Sequence, residues 1–194
     1  MSNTSVTIEK NKLIASKKQL LWIAMISISM FFAGLLSALI IERKDINTWQ
    51  GFILPDYFLF STVIICLSSL LLFFYKKKLR NNKSVFGIFF SVLILGFAFT
   101  YYQVQGWEVL LDSGIKFLGP SWNKAGGYLY VLTLMHLFHL LGGLIALIVA
   151  TVKIKRNLYN SSNYLGLQLT STYWHFLTFL WIVLFVFLKT SIVV

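Results

Sequence analysis

The 194-residue chain is 58% apolar, carries 17 Lys and Arg against 6 Asp and Glu, and holds one cysteine, Cys66. A single cysteine excludes an intrachain disulfide and a cysteine-built metal centre. The net charge of +11 would suit a nucleic-acid partner, but the basic residues fall between long apolar runs, where they read as an orientation signal for a membrane.

Five apolar runs are each long enough to cross a hydrocarbon core of about 30 Å, which takes roughly 20 helical residues. Residues 1–16 are polar and mixed, and are expected to lie on the surface or to lack fixed structure. The first run, from about Leu20 to Ile41, is too long for a signal-peptide core and no small-residue cleavage site follows it, so it reads as a retained helix. It carries Ser29, Ala33 and Ser37 at four-residue spacing, with Gly34 and Ala38 beside them. The second run, about Tyr57 to Tyr75, has Ser61-Thr62 and Ser68-Ser69 seven residues apart, on one face of a helix. The third runs from Val85 to Val104. A glycine-rich connection follows, roughly Gln105 to Gly127. The fourth run, Tyr128 to Val152, contains His136, His139, Gly142, Ala146 and Ala150. The fifth, Thr172 to Val194, opens on Tyr173-Trp174-His175 and carries Trp181 deeper in. Pro55 and Pro120 lie outside the runs, so no span is kinked by proline. Small residues at these spacings let helix backbones approach in lipid. They serve either packing inside this chain or packing against another membrane subunit.

Alternating sides along the chain puts twelve of the basic residues on one face: Lys10, Lys12, Lys17, Lys18, then Lys76, Lys77, Lys78, Arg80, Lys83, then Lys153, Lys155 and Arg156. Five remain on the other. The richer face is cytoplasmic by the positive-inside rule. The expected fold is therefore an all-α integral membrane protein with five transmembrane helices, the N-terminus cytoplasmic and the C-terminus external. A cytoplasmic segment, 1–19, precedes one membrane domain, 20–194.

Histidines inside a membrane are functional candidates. His136 and His139 share a face, and haem ligation is the sharp hypothesis. At 1.5 Å per residue they lie about 12 and 16 Å below the outer boundary, whereas His175 lies about 5 Å above the inner one. On that reckoning His139 and His175 are some 9–10 Å apart in depth, unsuited to one haem. Each histidine is then expected to bond a neighbouring helix or a headgroup. Tyr173, Trp174 and His175 place three amphipathic rings together, either to hold a phospholipid or as an aromatic anchor. No catalytic set, phosphate loop or paired intramembrane carboxylates occur, and the inverted repeats common in transporters are absent.

Four stretches resemble subunit III of the haem–copper respiratory oxidases, cytochrome c oxidase subunit III. Leu21-Trp22 with Met30-Phe31-Phe32-Ala33-Gly34 is similar to the family's "LW…MFFAGL". Leu54-Pro55 with Ser61-Thr62 and Ser68-Ser69 is similar to its "LP…ST…SS". Thr133 to Gly143, TLMHLFHLLGG, resembles "TGxHxxHxxGG", and Tyr173-Trp174-His175-Phe176 with Trp181 resembles "YWHFxDxxW". The order, the spacing and the five spans of many bacterial members agree. Ile28 stands where the family has an intramembrane carboxylate, Thr178 where it has the acid after "YWHF", and Leu134 in place of a glycine.

The resemblance implies a non-catalytic accessory subunit of the bacterial plasma membrane, with no cofactor or metal in this chain and haem and copper held by subunits I and II. It implies packing on subunit I, structural phospholipid between helices, and support of oxygen reduction with cytochrome c or another donor acting through the complex. An accessory subunit of a quinol oxidase or nitric oxide reductase is the near alternative. A stand-alone b-type cytochrome and a transporter are the distant ones.

Overall fold

The computed structural model describes residues 2–44, 49, 51–80, 84–115, 123–159 and 164–192. Among these, every regular element is a helix: α1 (Ser2–Glu42), α2 (Tyr57–Phe73), α3 (Tyr75–Arg80), α4 (Phe86–Asp112), α5 (Lys124–Lys155) and α6 (Leu165–Ile192). Five stretches are long and apolar enough to cross a membrane, namely Lys12–Glu42, Tyr57–Leu79, Phe86–Asp112, Lys124–Lys155 and Leu165–Ile192. The chain is an all-α, multi-pass membrane protein.

The helices exceed the apolar runs at both ends of the first and fourth, at the end of the third and at the start of the fifth. A helix costs nothing extra where it leaves the lipid, because its backbone bonds are already internal, so hydropathy marks the bilayer and not the helix. The polar N-terminal residues, expected to lie on the surface or to lack fixed structure, continue α1 from Ser2. The glycine-rich connection after the third run shrinks for the same reason, with α4 reaching Asp112 and α5 starting at Lys124. What stops the helices is local chemistry. Gly114, at φ +82°, ends α4: its N–H bonds the Leu111 carbonyl and the N–H of Ile115 bonds that of Leu110, the paired closure of a Schellman motif. Asn157, at φ 53°, closes α5 in the same way, with Leu158 N–H on the Lys153 carbonyl. The Asn123 side chain caps the start of α5 by accepting from Ala125 N–H. Beyond α5, the Tyr159 ring covers Gly166, and burial pushes its phenol pKa up.

Helix α6 is central and α1 peripheral: half of the most apolar stretch of α6 is buried inside the bundle against 17% for α1. α6 packs on α5, α2 and α1, while α4 packs chiefly on α2 and α5. α1 turns Met25, Phe32 and Leu39 inward, seven residues apart and so on one stripe. Its small-residue stripe, Ser29, Ala33 and Ser37, faces away from the other spans, and the Ser29 hydroxyl is spent on the Met25 carbonyl of its own helix. At the end where α1 stops and α5 starts, Lys124 Nζ pairs with Glu42 Oε2 at 2.9 Å. Partly exposed, that pair contributes at most about 1 kcal/mol.

Candidate functional site

The interior of a membrane bundle cannot leave polar side chains unpaired cheaply, so the destination of each N–H and O–H identifies what the polar residues do. Four of them converge on one seam of α2. Ser61 Oγ accepts from Gln103 Nε2 of α4 at 2.9 Å. Thr62 Oγ1 accepts from Trp181 Nε1, and Ser68 Oγ from Trp174 Nε1, both of α6 and both at 2.9 Å. Ser69 Oγ bonds His175 Nδ1 at 2.6 Å. Three of the four hydroxyls give their own proton back to α2 carbonyls: Ser61 and Thr62 to Phe58, and Ser68 to Ile65. Each of these can therefore only accept from across the helix interface. A fifth bond, Trp107 Nε1 to Thr133 Oγ1 at 3.0 Å, ties α4 to α5.

Trp174 and Trp181 are the largest side chains fully buried in the core, and Trp174 is the one wedged against glycines. It is 1% exposed, and its ring lies between two glycines. A methyl on Gly96 of α4 would come within 2.8 Å of Trp174 Cη2, and one on Gly143 of α5 within 3.4 Å of Trp174 Cε3 and 2.8 Å of Leu177 Cδ1. The close approach of α5 to α6 is thus at Gly143, one residue beyond the position expected from the small-residue stripe. Gly142 is exposed, with the Tyr173 hydroxyl 3.9 Å from where its Cβ would stand; Ala146 is half-buried and Ala150 buried.

The three rings of Tyr173, Trp174 and His175 diverge, since successive residues on a helix point about 100° apart. Trp174 enters the core. Tyr173 donates to the His139 carbonyl at 3.2 Å. His175 is half-buried against Phe73, ring centroids 4.6 Å apart. Trp174 therefore offers no surface for a headgroup, and only Tyr173 and His175 remain partly accessible.

The histidine depths also change. α6 starts seven residues before the apolar run, and its contacts set the register. Tyr173 reaches the backbone of His139, Leu177 meets Gly143, and Trp181 lies 5.1 Å from His136. His175 thus sits within about a turn of the level of His139, much closer than the 9–10 Å reckoned from hydropathy. What separates the two is direction. His139 bonds the Met135 carbonyl of its own helix and lies 5.7 Å from Phe32 of α1, whereas His175 faces α2. Among the described residues no three His, Cys, Asp or Glu side chains form a group that could hold a metal ion.

His136 departs from expectation. It was expected to bond a neighbouring helix or a headgroup, yet it is 1% exposed and neither ring nitrogen has a hydrogen-bond partner among the described residues. Its neighbours are the rings of Trp181, Phe99 and Phe32, at 5.1, 6.1 and 6.5 Å. Sequence reading also passed over Gln103, Gly96 and Gly143. The signal for Gln103 was present, as a lone amide inside an apolar run. The glycines gave none, because which glycine meets a ring depends on the register of two helices.

The fold and its seam define a polytopic membrane bundle whose interior polar groups hold helices to one another. The curated proteins it resembles agree with one another. It is 26% identical over 168 residues to cytochrome c oxidase subunit 3 of a Synechocystis strain, a match covering 81% of this chain and 68% of that protein. It is 25% identical over 162 residues to the probable cytochrome c oxidase subunit 3 of Nocardia farcinica, covering 80% and 78%. The subunit of Pylaiella littoralis is 32% identical over 91 residues, 47% of this chain and 32% of that protein. The chain matches only about a third to two fifths of the length of that subunit and of its Rhipicephalus sanguineus counterpart. No family model matches. Several curated relatives named cytochrome c oxidase subunit 3, at 25–32% identity, support that family for this chain.

Proposed function

We propose that the chain is the accessory, non-catalytic subunit of a haem–copper terminal oxidase in a bacterial plasma membrane, oriented with its N-terminus in the cytoplasm. In this reading it packs on the large catalytic subunit, holds phospholipid, and supports oxygen reduction without touching the reacting atoms. The observation that carries it is how the interior side chains are used. Trp174, Trp181, His175, Gln103, Ser61, Thr62, Ser68 and Ser69 bond one another, which leaves the outward surface as the part free to act. That surface includes Ser29, Ala33, Ser37 and Gly142, suited by size to a close contact with a second membrane protein. Tyr173 and His175 are the proposed lipid contacts.

The test is turnover of the assembled oxidase carrying His175→Ala. Initial oxygen consumption per haem should equal that of the parent, while phospholipid content falls and activity decays sooner during sustained turnover. A large drop in initial rate, with subunit and lipid content unchanged, would refute a supporting role.

A further inference from the structure

A second feature of the core lies beside the seam. Gln103 is 2% exposed and uses its amide nitrogen on Ser61. Ser61 gives its own proton to the Phe58 carbonyl, so only a donor can face it, and the amide orientation is fixed with Oε1 turned away. Among the described residues, that Oε1 has no hydrogen-bond partner, and neither do the two ring nitrogens of His136. These two side chains thus hold three orphan polar atoms in the interior of the bundle.

The two side chains lie in one layer. α4 and α5 run antiparallel, and their contacts give the register: Trp107 bonds Thr133, Phe99 faces His136, and Gly96 lies against Leu144. Gln103 is the inward residue between Phe99 and Trp107, one turn from each, at the level of His136. The circuit closes on the other side as well. Gln103 bonds Ser61, the next residue Thr62 accepts from Trp181, and the Trp181 ring lies 5.1 Å from that of His136. Phe32 of α1 covers the layer from outside the circuit.

We propose that Gln103 and His136 bind at least one internal water molecule between α4 and α5. The donor and acceptor inventory fits. A neutral imidazole offers one donor and one acceptor and the amide oxygen an acceptor, so a water can donate to Oε1 while it exchanges a hydrogen bond with one ring nitrogen of His136. Buried waters occur about once per 27 residues and typically satisfy polar groups that the protein leaves unpaired. A water that satisfies two orphaned buried polar atoms removes more desolvation penalty than its own immobilisation costs. The aromatic rings of Trp181, Phe99 and Phe32 shield the layer from lipid, so the water is long-lived and exchanges with bulk through local opening of the bundle, with no permanent channel.

The chain has three histidines, which makes the test simple to read. The full chain with 15N-labelled histidine, in phospholipid nanodiscs, gives three imidazole spin systems, assigned by His136→Phe. The His136 ring should show magnetisation transfer from water despite its burial. Gln103→Leu should abolish that transfer and move the His136 ring resonances, leaving those of His139 in place. Two results would overturn the proposal: no transfer to His136 in the parent protein, or transfer that survives Gln103→Leu unchanged. The parent measurement decides the first point even if the variant fails to fold.

Discussion

The substitution Gly96→Ala tests the packing account most sharply, because it places one carbon against a side chain that cannot retreat. The added methyl would stand 2.7 Å from Leu144 Cδ2 and 2.8 Å from Trp174 Cη2, against an optimal carbon separation of about 3.5–4.0 Å. The leucine can rotate away. The indole cannot, since Trp174 is buried to 1% and its N–H is held by Ser68. Overpacking of this kind costs about 1–3 kcal/mol, while exchanging a helical glycine for alanine returns up to about 1 kcal/mol. The net expectation is a loss of about 1–2 kcal/mol, roughly a tenfold change in the unfolding equilibrium. Gly143→Ala, where the rigid ring is 3.4 Å away and only the flexible Leu177 is nearer, should come out close to neutral. Gly34→Ala, with nothing within 4 Å, should be neutral or stabilising. Unfolding of the chain by SDS in mixed micelles, followed by circular dichroism, gives the three values on one scale. Trp174→Leu should then cost less in the Gly96→Ala background than alone, a coupling expected only of residues in contact. If Gly96→Ala were as stable as Gly34→Ala, or if the two substitutions simply added, the wedge of Trp174 between α4 and α5 would be wrong.

Two further expectations follow from the seam and from the charges. Ser68→Ala should destabilise by about 1–3 kcal/mol in the same titration, because it leaves the buried Trp174 N–H unpaired; Trp174→Phe in that background should recover part of the loss, and no recovery would mean the bond is not what Ser68 supplies. For orientation, single cysteines at Asn82 and Ser113 in a Cys66→Ala background are labelled from outside intact cells with an impermeant reagent. Labelling is expected at 113 alone, and labelling at 82 alone would invert the proposed topology.

The number of spans was legible because lipid imposes one requirement, a run of apolar residues about 20 long. Their ends were not legible, since capping by Asn123, Gly114 and Asn157 acts outside the hydrocarbon. That shortfall propagated into the site. Seven unseen residues at the start of α6 displaced His175 in depth, and the haem argument built on the histidine levels lost its footing although the side chains do diverge. Ser61 and Ser68 were correctly placed on one face, yet read as small when their use is as acceptors. Hydropathy ranks a serine by its transfer cost and does not register a tryptophan N–H on the facing helix. Trp174 was read as an interface residue from its neighbours Tyr173 and His175, a grouping by sequence that a 100° step per residue undoes. The assignment of Gly142 in place of Gly143 is the same error on a smaller scale.

The central claim, that the chain serves a haem–copper oxidase from its outward face, is tested by what the chain holds when extracted from its own membrane. An affinity-tagged chain, solubilised in mild detergent and resolved by mass spectrometry and visible spectroscopy, should carry a large multi-pass haem–copper subunit in equimolar amount, with the haem spectrum assigned to that partner and lost when the partner is stripped away. Recovery of the chain alone, or a haem spectrum that stays with the isolated chain, would contradict the account.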